Sequence, residues 1–369
     1  MIKENNKPLF HPTFGSRPAQ IVGREQMIED YMQGLQEPVG SRGRCRFYTG
    51  QRGTGKTALL LELAERATAL DYVTACVTVY EGMCDDIIET IQRSGAAFVT
   101  DSKKKISGVS AGAFGFSFGL TFTDETKKQF GFRAKLTMLC DELAKYGKRI
   151  LILVDEARTS ETMRQLAITY QHLIGEDRDI AIVMAGLPQA VSAILNDDVL
   201  TFLNRASKTK LEPIHTNEIR DYYHIAFQKL EIHLSDRAVE RAAASAMGFP
   251  YLMQLIGYHI AKQAPAHAGG DERWVQSAIR DAKKEMEENV FTPVLAPLSD
   301  MDLAFLRAMS VDQEASKISD ICKRMNRPNS YVQPYRARLI DAGIIESQRK
   351  GEVVFAIPYL RDYLSTGIR

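Results

Sequence analysis

Short apolar runs separated by longer amphipathic stretches characterise residues 1–214 of the chain. Some of these runs are apolar at every position, as is typical of parallel strands that are covered on both faces. Helical periodicity fills the intervals between the runs. Strands that alternate with helices indicate a doubly wound parallel sheet, so we predict an α/β domain with five strands. The five predicted strands are Cys45–Thr49, Val73–Tyr80, Ile150–Val154, Ile180–Ala185 and Lys208–Ile214.

Only helical periodicity remains over residues 215–292. Thr216 and Ser235 are predicted to cap helices, because their hydroxyls accept hydrogen bonds from first-turn amides. Pro250 is expected to open another helix, since a proline in the first turn loses no helical hydrogen bond. The pattern therefore predicts a helical lid domain. Its helices are expected at Thr216–Leu230, Asp236–Met247, Pro250–Gln263 and Asp271–Asn289.

A third unit is predicted over residues 296–369. Ser299 and Ser330 are expected to cap its first and third helices, with Pro334 close to the first turn of the third. Three helices followed by a β-hairpin is the element order of a winged helix-turn-helix. The predicted elements are helices at Asp300–Met309, Lys317–Met325 and Ser330–Ala342, strands at Ile344–Ser347 and Glu352–Ile357, and a last helix at Tyr359–Ser365.

A glycine-rich segment at about residues 104–123 interrupts the predicted α/β domain. Its glycines lie among Val, Phe and Ser, so we interpret the segment as an inserted β-hairpin or loop. A surface hairpin is one interpretation, and a contact surface for a partner or DNA is the other. Residues 1–20 are predicted to form an extended lead-in to the domain.

Composition and charge exclude several classes of protein. The 47 basic and 46 acidic residues give a formal net charge of +1, so any surface that attracts nucleic acid must be local. The five cysteines are scattered and form no C-x-x-C pair, which disfavours a disulfide framework or a zinc site. We find no signal-peptide pattern and no apolar run of about 18 residues, and therefore expect a cytoplasmic protein.

The segment Gly50–Thr57 fits G-x-x-x-x-G-K-[ST], the phosphate-binding loop (Walker A) of P-loop NTPases. A predicted strand precedes it and an amphipathic helix at Ala58–Leu70 follows, as this motif requires. Lys56 should reach the β- and γ-phosphates, and Thr57 should place its hydroxyl on Mg²⁺. Arg52 is expected to face solvent or a partner. The candidate nucleotide-binding residues of the loop are Gly50, Gln51, Arg52, Gly53, Thr54, Gly55, Lys56, Thr57 and Ala58.

Asp155 and Glu156 follow the apolar run Ile150–Val154 directly. Because ligands of open α/β sheets bind at the carboxyl ends of the strands, both carboxylates should face the phosphate-binding loop. We predict that Asp155 holds Mg²⁺ through water, as a Walker B acid. Glu156 would orient and deprotonate the attacking water, which makes the site that of an ATPase.

With these motifs, the chain resembles the AAA+ ATPases, in the clade that holds the origin-recognition and initiator ATPases and the signalling STAND ATPases. The resemblance covers about residues 17–290. Four further segments carry it in the expected order: Ile21–Glu25, Ala185–Pro188, Phe202–Ile214 and Gly248–Tyr251.

The resemblance implies ATP and Mg²⁺ as ligands and adds candidate site residues. Val22 and Arg24 would lie near the nucleotide, although Arg24 also suits a helix start. Pro250 belongs to the lid. Arg205 would reach a γ-phosphate in cis or from a neighbouring subunit, or else is a surface arginine near a helix end.

Two departures from the family pattern favour slow or partner-dependent hydrolysis. The first sensor of the family is a polar residue at the tip of the fourth strand, but Met184, Ala185 and Gly186 occupy that tip. The lid carries Gly248 and Pro250 where many AAA+ proteins place a second sensor arginine, as in the signalling branch.

Basic, polar and aromatic residues cluster around the predicted third helix and hairpin of the C-terminal unit. Phosphate contacts from Lys and Arg and base contacts from a helix are the means of reading duplex DNA. Protein contact or autoinhibition by a winged helix is the alternative. The candidate DNA-binding residues are Arg327, Tyr331, Gln333, Arg336, Arg338, Arg349 and Lys350.

Two hypotheses of function follow. The first is an ATP-dependent AAA+ protein whose nucleotide state controls assembly on, or loading onto, duplex DNA, with self-association or partner proteins. The second is a STAND-like nucleotide switch in signalling or defence, whose winged helix contacts protein. A metabolic P-loop kinase is disfavoured, because a helical lid and a winged helix have no place in one.

Overall fold

The computed structural model of the chain describes residues 8–12, 18–103, 116–117, 121–122, 130–264 and 272–366. Two compact units make up the chain. The first comprises Arg24–Gly50 and Lys56–Leu211. The second comprises Glu212–Arg369 together with the N-terminal residues through Gly23 and the loop residues Gln51–Gly55.

Parallel strands form the sheet of the first unit. The strands before Glu212 are β1 (Cys45–Thr49), β2 (Tyr72–Thr78), β3 (Phe116–Ser117), β4 (Thr121–Phe122), β5 (Arg149–Asp155), β6 (Ile180–Gly186) and β7 (Ser207–Lys210). Five of them form one sheet in the order β2-β5-β6-β1-β7, and every pairing in it is parallel. The predicted α/β fold with a five-stranded parallel sheet is therefore confirmed.

Strand register brings four strand ends to one edge of this sheet. Thr49 of β1 lies beside Gly186 of β6, and Thr78 of β2 lies beside Asp155 of β5. All seven residues of β6 are buried, which explains why that run is apolar throughout. The fifth strand ends at Lys210 rather than at the predicted Ile214, because Leu211 closes the ladder and Pro213 has no N–H to extend it.

Helices alternate with these strands. They are α1 (Glu25–Gly34), α2 (Lys56–Thr68), α3 (Met83–Lys103), α4 (Phe132–Ala144), α5 (Glu161–Gly175) and α6 (Pro188–Leu195). Helix α2 begins two residues before the predicted start at Ala58, so the loop runs directly into a helix N-terminus. Ser160 caps α5 by accepting a hydrogen bond from the Met163 amide.

Strands β3 and β4 form an antiparallel pair inside the glycine-rich segment. That pair agrees with the predicted hairpin. The rest of the segment, residues 104–115, 118–120 and 123, lies outside the described residues, and so does its predicted contact with a partner or DNA.

Helices follow the sheet in the second unit. They are α7 (Thr216–Lys229), α8 (Asp236–Ser245), α9 (Pro250–Gln263), α10 (Glu272–Met286), a π-helical turn (Glu287–Phe291) and α11 (Thr292–Leu295). Ser235 caps α8 and Pro250 opens α9, as predicted. The prediction that Thr216 caps α7 is wrong: His215 holds that position, and its N–H donates to the Glu218 carboxylate at 3.1 Å.

The C-terminal residues form three helices, a small sheet and a last helix. These are α12 (Asp300–Ser310), β8 (Ser316–Lys317), α13 (Ile318–Met325), α14 (Asn329–Asp341), β9 (Ile345–Ser347), β10 (Glu352–Phe355) and α15 (Leu360–Ser365). The three strands pair antiparallel in the order β8-β10-β9. Ser299 caps α12 as predicted. Ser330 does not cap α14, because that helix already begins at Asn329, which places Pro334 inside it.

One continuous apolar cluster holds the second unit together from Phe10 to Leu364. The Phe10 ring packs against Tyr222, Tyr223 and Phe227, and it lies where a side chain on Gly257 of α9 would have to go. Residues 8–12 of the predicted lead-in are thus anchored in the helical part of the unit. Among the described helices, none combines the length and apolar composition needed to cross a membrane.

Candidate functional site

The phosphate-loop motif adopts a conformation that depends on glycine. Gly53 and Gly55 have positive φ angles of 78° and 86°, which side chains with a Cβ rarely adopt. A Cβ on Gly55 would also lie 3.2 Å from the Pro250 ring. Thr54 is 4% exposed, and its hydroxyl donates to the Gln51 carbonyl at 2.9 Å. The glycines and Thr54 together fix a tight loop ahead of helix α2.

Lys56 is the first residue of α2 and is only 7% exposed. Its ammonium donates to the Gly50 carbonyl at 3.0 Å, which bends the side chain back over the loop. A buried ammonium needs such a partner, because desolvation of an unpaired charge is costly. The Gly50 carbonyl provides that partner for Lys56.

Thr57 and Asp155 meet at the carboxyl edge of the sheet. The Thr57 hydroxyl donates to Asp155 Oδ2 at 2.5 Å, and so joins the start of α2 to the end of β5. A hydroxyl and a carboxylate side by side are oxygen donors of the kind that Mg²⁺ takes. Within the described ranges, no group of three or more His, Cys, Asp or Glu residues could hold a metal. The pair therefore fits Mg²⁺, which keeps several waters and phosphate ligands, better than an ion that needs a full protein cage.

Glu156 has a left-handed backbone, with a φ of 51°. This conformation is uncommon for a residue other than glycine and often marks a functional position. The Glu156 N–H donates to Asp155 Oδ1 at 2.9 Å, and the side chain is exposed. The chain turns sharply here, because the next amide, that of Ala157, donates to the Ala185 carbonyl at 2.7 Å.

Gly186 ends β6 at the same edge of the sheet. The family pattern has a polar sensor residue at this tip, and the sequence offers none there. A Cβ on Gly186 would lie 2.6 Å from the Ala157 carbonyl oxygen. The Gly50 N–H also donates to the Gly186 carbonyl at 3.3 Å. Close approach of the turn after Asp155 thus requires glycine here, which gives a physical reason for the absence of a polar side chain at this tip.

A cleft of about 400 Å³ opens beside the Thr57–Asp155 pair. Its outer rim carries Tyr80, which is 47% exposed and donates a hydrogen bond to Asp86. The Tyr80 ring also lies against Gly82, where a Cβ would be only 2.6 Å from it. The end of strand β2 at the same sheet edge brings Tyr80 and Asp86 to this cleft, and no motif in the sequence marks either residue. The lining residues are Thr57, Leu60, Leu61, Cys76, Val77, Thr78, Tyr80, Asp86, Leu153 and Asp155.

Arg205 lies just before β7, at the amino end of that strand. Register puts Ser207 beside Arg46 near the start of β1, whereas the loop follows Thr49 at the other end. Arg46 and Thr49 are three residues apart along β1, which is roughly 10 Å at about 3.3 Å per residue, and Arg205 precedes Ser207 by two more residues. A cis contact between Arg205 and a nucleotide in the loop is therefore not supported, and the supply of Arg205 from a second copy stays a prediction.

The other residues predicted near the nucleotide lie in or next to helices, or in the apolar core. Arg24 is 6% exposed at the N-terminal cap of α1. Val22 is buried in the core of the second unit, and Pro250 is the first residue of α9, next to Gly55. Ala58 lies half-buried in α2.

Two of the candidate DNA-binding residues, Arg336 and Arg338, form hydrogen bonds with other residues of the C-terminal part of the chain, residues 296–369. The Arg338 guanidinium donates to the buried Asp302 carboxylate at 2.8 Å, and Arg336 donates to the Ser347 hydroxyl at 2.6 Å. Burial raises the pKa of Asp302, but hydrogen bonds from Ser299 and Arg338 outweigh it and hold the pKa below its usual value. Arg338 thus helps to hold α12 and α14 together.

Four of the remaining candidates are exposed, and the fifth, Gln333, is half-buried. Arg327 stacks over the Tyr331 ring at 5.1 Å, and Tyr331 is 39% exposed. Gln333, which is half-buried, donates to the Asn329 side chain on the same helix at 2.8 Å. Arg349 and Lys350 occupy the exposed turn between β9 and β10.

Comparison with known proteins places the fold. A family model described as a domain of unknown function (DUF8462) matches residues 288–364. No curated protein matches the chain in sequence.

Solved structures match over nearly the whole chain. A Walker-type ATPase of Pyrococcus abyssi matches with a TM-score of 0.68 at 16% identity, over 94% of this chain and 97% of that chain. The ORC2 protein of Aeropyrum pernix, in its ADPNP-ADP complexes, matches with a TM-score of 0.64 at 15% identity, over 96% and 94%. Cdc6p from Pyrobaculum aerophilum matches with a TM-score of 0.52 at 18% identity, over 96% and 95%. The chain has the P-loop fold of these archaeal Walker-type, ORC and Cdc6 proteins.

Proposed function

We propose that this chain binds ATP with Mg²⁺ at Gly50–Thr57 and hydrolyses it slowly, and that its nucleotide state controls association with duplex DNA. The observation that carries the proposal is the hydrogen bond from Thr57 to Asp155, which unites a phosphate-loop hydroxyl with a Walker B carboxylate. The ADPNP-ADP complexes of the similarly folded ORC2 protein support a nucleotide as the ligand.

Each residue of the site has a proposed task. Lys56 leaves the Gly50 carbonyl for the phosphate chain, and Thr57 and Asp155 hold Mg²⁺ directly or through water. When bound, Mg²⁺ neutralises phosphate charge. The exposed carboxylate of Glu156 orients the attacking water and accepts its proton. Gly186 leaves no polar side chain at the tip of β6, which favours a low rate. Arg205 from a second copy would stabilise the γ-phosphate charge.

We further propose that residues 1–214 act as the ATPase core, 215–292 as a lid and 296–369 as a winged-helix domain. DNA would meet the N-terminal part of helix α14 and the turn between β9 and β10. Tyr331 and Gln333 supply contacts from the helix, and Arg327, in the turn before α14, supplies phosphate contacts together with Arg349 and Lys350. Arg336 and Arg338 are poorer contacts, because each is already bound within the unit.

The DNA proposal is tested by duplex binding at a series of salt concentrations with ATP present. The double variant Arg349→Ala/Lys350→Ala should reduce the slope of log affinity against log salt by about two, one for each lost phosphate contact. A control pair of exposed lysines, Lys210→Ala/Lys229→Ala, should leave the slope unchanged. The proposal fails if duplex affinity is undetectable at low salt, or if both double variants behave like the unmodified protein.

A second candidate function is a STAND-like nucleotide switch whose C-terminal unit contacts protein. The intramolecular partners of Arg336 and Arg338 favour it, since these side chains are then less available to phosphates. Such a switch should retain ADP through purification and change its oligomeric state with ATP in the absence of DNA. Mass measurement of the purified protein with ADP and with ATP separates the two functions.

A further inference from the structure

Gln51 and Arg52 occupy the first two unspecified positions of the phosphate-loop motif. Both contact residues between helix α14 and strand β10. The Gln51 side-chain amide donates to a Glu346 carboxylate oxygen at 3.0 Å, across 295 positions of sequence. The Arg52 guanidinium donates to the Ala342 carbonyl at 3.3 Å. Gln51–Gly55 and Glu212–Arg369 belong to the same compact unit, so both contacts lie within it.

Both contacts make the loop less attractive to an anion. Glu346 brings a carboxylate to a loop whose proposed ligand is a chain of phosphates, and like charges repel. Ala342 caps the C-terminus of α14, where the helix dipole is negative, and it engages the guanidinium of Arg52. The C-terminal residues thus add an anion beside the loop and engage one of its cations.

We infer that Glu346 is a specificity-determining residue of the nucleotide site, one that disfavours a nucleoside triphosphate relative to a diphosphate. The inference rests on the proposed function of the loop. Repulsion from a fixed carboxylate grows with the charge of the ligand, and the triphosphate carries one phosphate more. The half-buried Glu346 is held by Gln51, so its charge stays beside the loop rather than moving freely in solvent.

The repulsion between Glu346 and a bound triphosphate also acts on the contact between Gln51 and Glu346. If the Gln51–Glu346 contact lowers the affinity for a triphosphate by some factor, then a bound triphosphate lowers the equilibrium constant for that contact by the same factor. The C-terminal unit, which carries the proposed DNA-binding residues, therefore responds to the number of phosphates in the loop. A diphosphate preserves the contact, and a triphosphate loosens it.

The test compares the affinities of the full chain for MgADP and for a magnesium-bound, non-hydrolysable ATP analogue. Glu346→Gln keeps the size and hydrogen-bonding capacity of the side chain but removes its charge. We expect the variant to bind the analogue about three- to tenfold more tightly, with a smaller gain for MgADP, as one screened charge at partial burial would produce. Gln51→Ala, which releases the carboxylate, should shift the ratio of the two affinities in the same direction.

Glu352→Gln is the matched control, because Glu352 is another glutamate of the same small sheet. The inference is overturned if Glu346→Gln leaves the ratio of affinities unchanged, or if Glu352→Gln shifts it equally, which would indicate net charge alone. Loss of the proposed function would look different. In that case the unmodified protein and Lys56→Ala would both fail to bind either nucleotide.

Discussion

Thr57 donates its hydroxyl hydrogen bond to Asp155 across 98 positions of sequence, and the two side chains stand where helix α2 begins and strand β5 ends. We predict that Thr57→Ala weakens binding of MgATP about tenfold, since contacts to charged groups contribute about 1.5–3 kcal/mol. The loss should be much smaller when a chelator removes Mg²⁺. Binding titrations in the presence and absence of Mg²⁺ measure both effects.

Thr78→Ala is the control for this prediction. Thr78 lies at the same sheet edge, beside Asp155 in the register, and its side chain is exposed. Its removal should leave MgATP affinity unchanged. If Thr57→Ala and Thr78→Ala lower MgATP affinity equally, the threonine hydroxyls at this edge stabilise the local fold rather than bind Mg²⁺.

Glu156→Gln should separate binding from turnover. The amide keeps the shape of the side chain but cannot accept a proton from water, so hydrolysis should fall by about 10²–10⁴-fold. Affinity for MgATP should stay within about twofold of the unmodified value, below 0.5 kcal/mol. Steady-state phosphate release and nucleotide titration give the two numbers. Glu161→Gln, an exposed acid at the start of α5, is the control. Phosphate release at the normal rate from Glu156→Gln would show that another group is the base.

Gly257 and Phe10 provide a test of the packing of the second unit. Alanine in an open helix position stabilises a protein by about 1 kcal/mol relative to glycine. At position 257 we predict the opposite sign, because a Cβ would overlap the Phe10 ring and drive it out of its cluster. The variant should lose about 3 kcal/mol of unfolding free energy, close to the loss from Phe10→Ala. Thermal or denaturant unfolding measures both.

The double variant Phe10→Ala/Gly257→Ala tests whether the Phe10 ring is the reason for glycine at position 257. With Phe10 already replaced by alanine, Gly257→Ala should become neutral or stabilising, because the ring that it displaces is gone. Additive losses in the double variant would mean that Gly257 is needed for another reason, such as contact with a neighbouring helix.

Patterns along the chain predicted those parts of the molecule whose cause is local. The run Ile180–Ala185 is apolar because β6 is buried at every position, and Gly53 and Gly55 of the phosphate-binding loop are where the backbone has positive φ. Asp155 was expected at the sheet edge, since the strand before it is parallel and its end shares that edge with the loop.

Other features depend on tertiary contacts between distant parts of the chain, and no local sequence pattern predicts them. Nothing near Glu346 in sequence marks it as a partner of Gln51, because the pairing depends on how the second unit folds. Arg205 matches a family segment, but its level relative to the loop follows from the pairing of β7 with β1, which is not local in sequence. Gly186 stands where the family pattern has a polar sensor, and its close approach to the Ala157 carbonyl, which requires a glycine, depends on the tertiary fold.

Lys56 tests the central claim most directly, because the account rests on nucleotide binding at this loop. MgATP titrated into the unmodified chain should bind saturably at one site, and Lys56→Ala should weaken that binding about a hundredfold or more, since loss of one partner of a buried charge pair costs about 2–5 kcal/mol. Lys145→Ala, at an exposed lysine after α4, should bind as the unmodified chain does. Absence of MgATP binding in the unmodified chain, or equal binding by Lys56→Ala, would contradict the account.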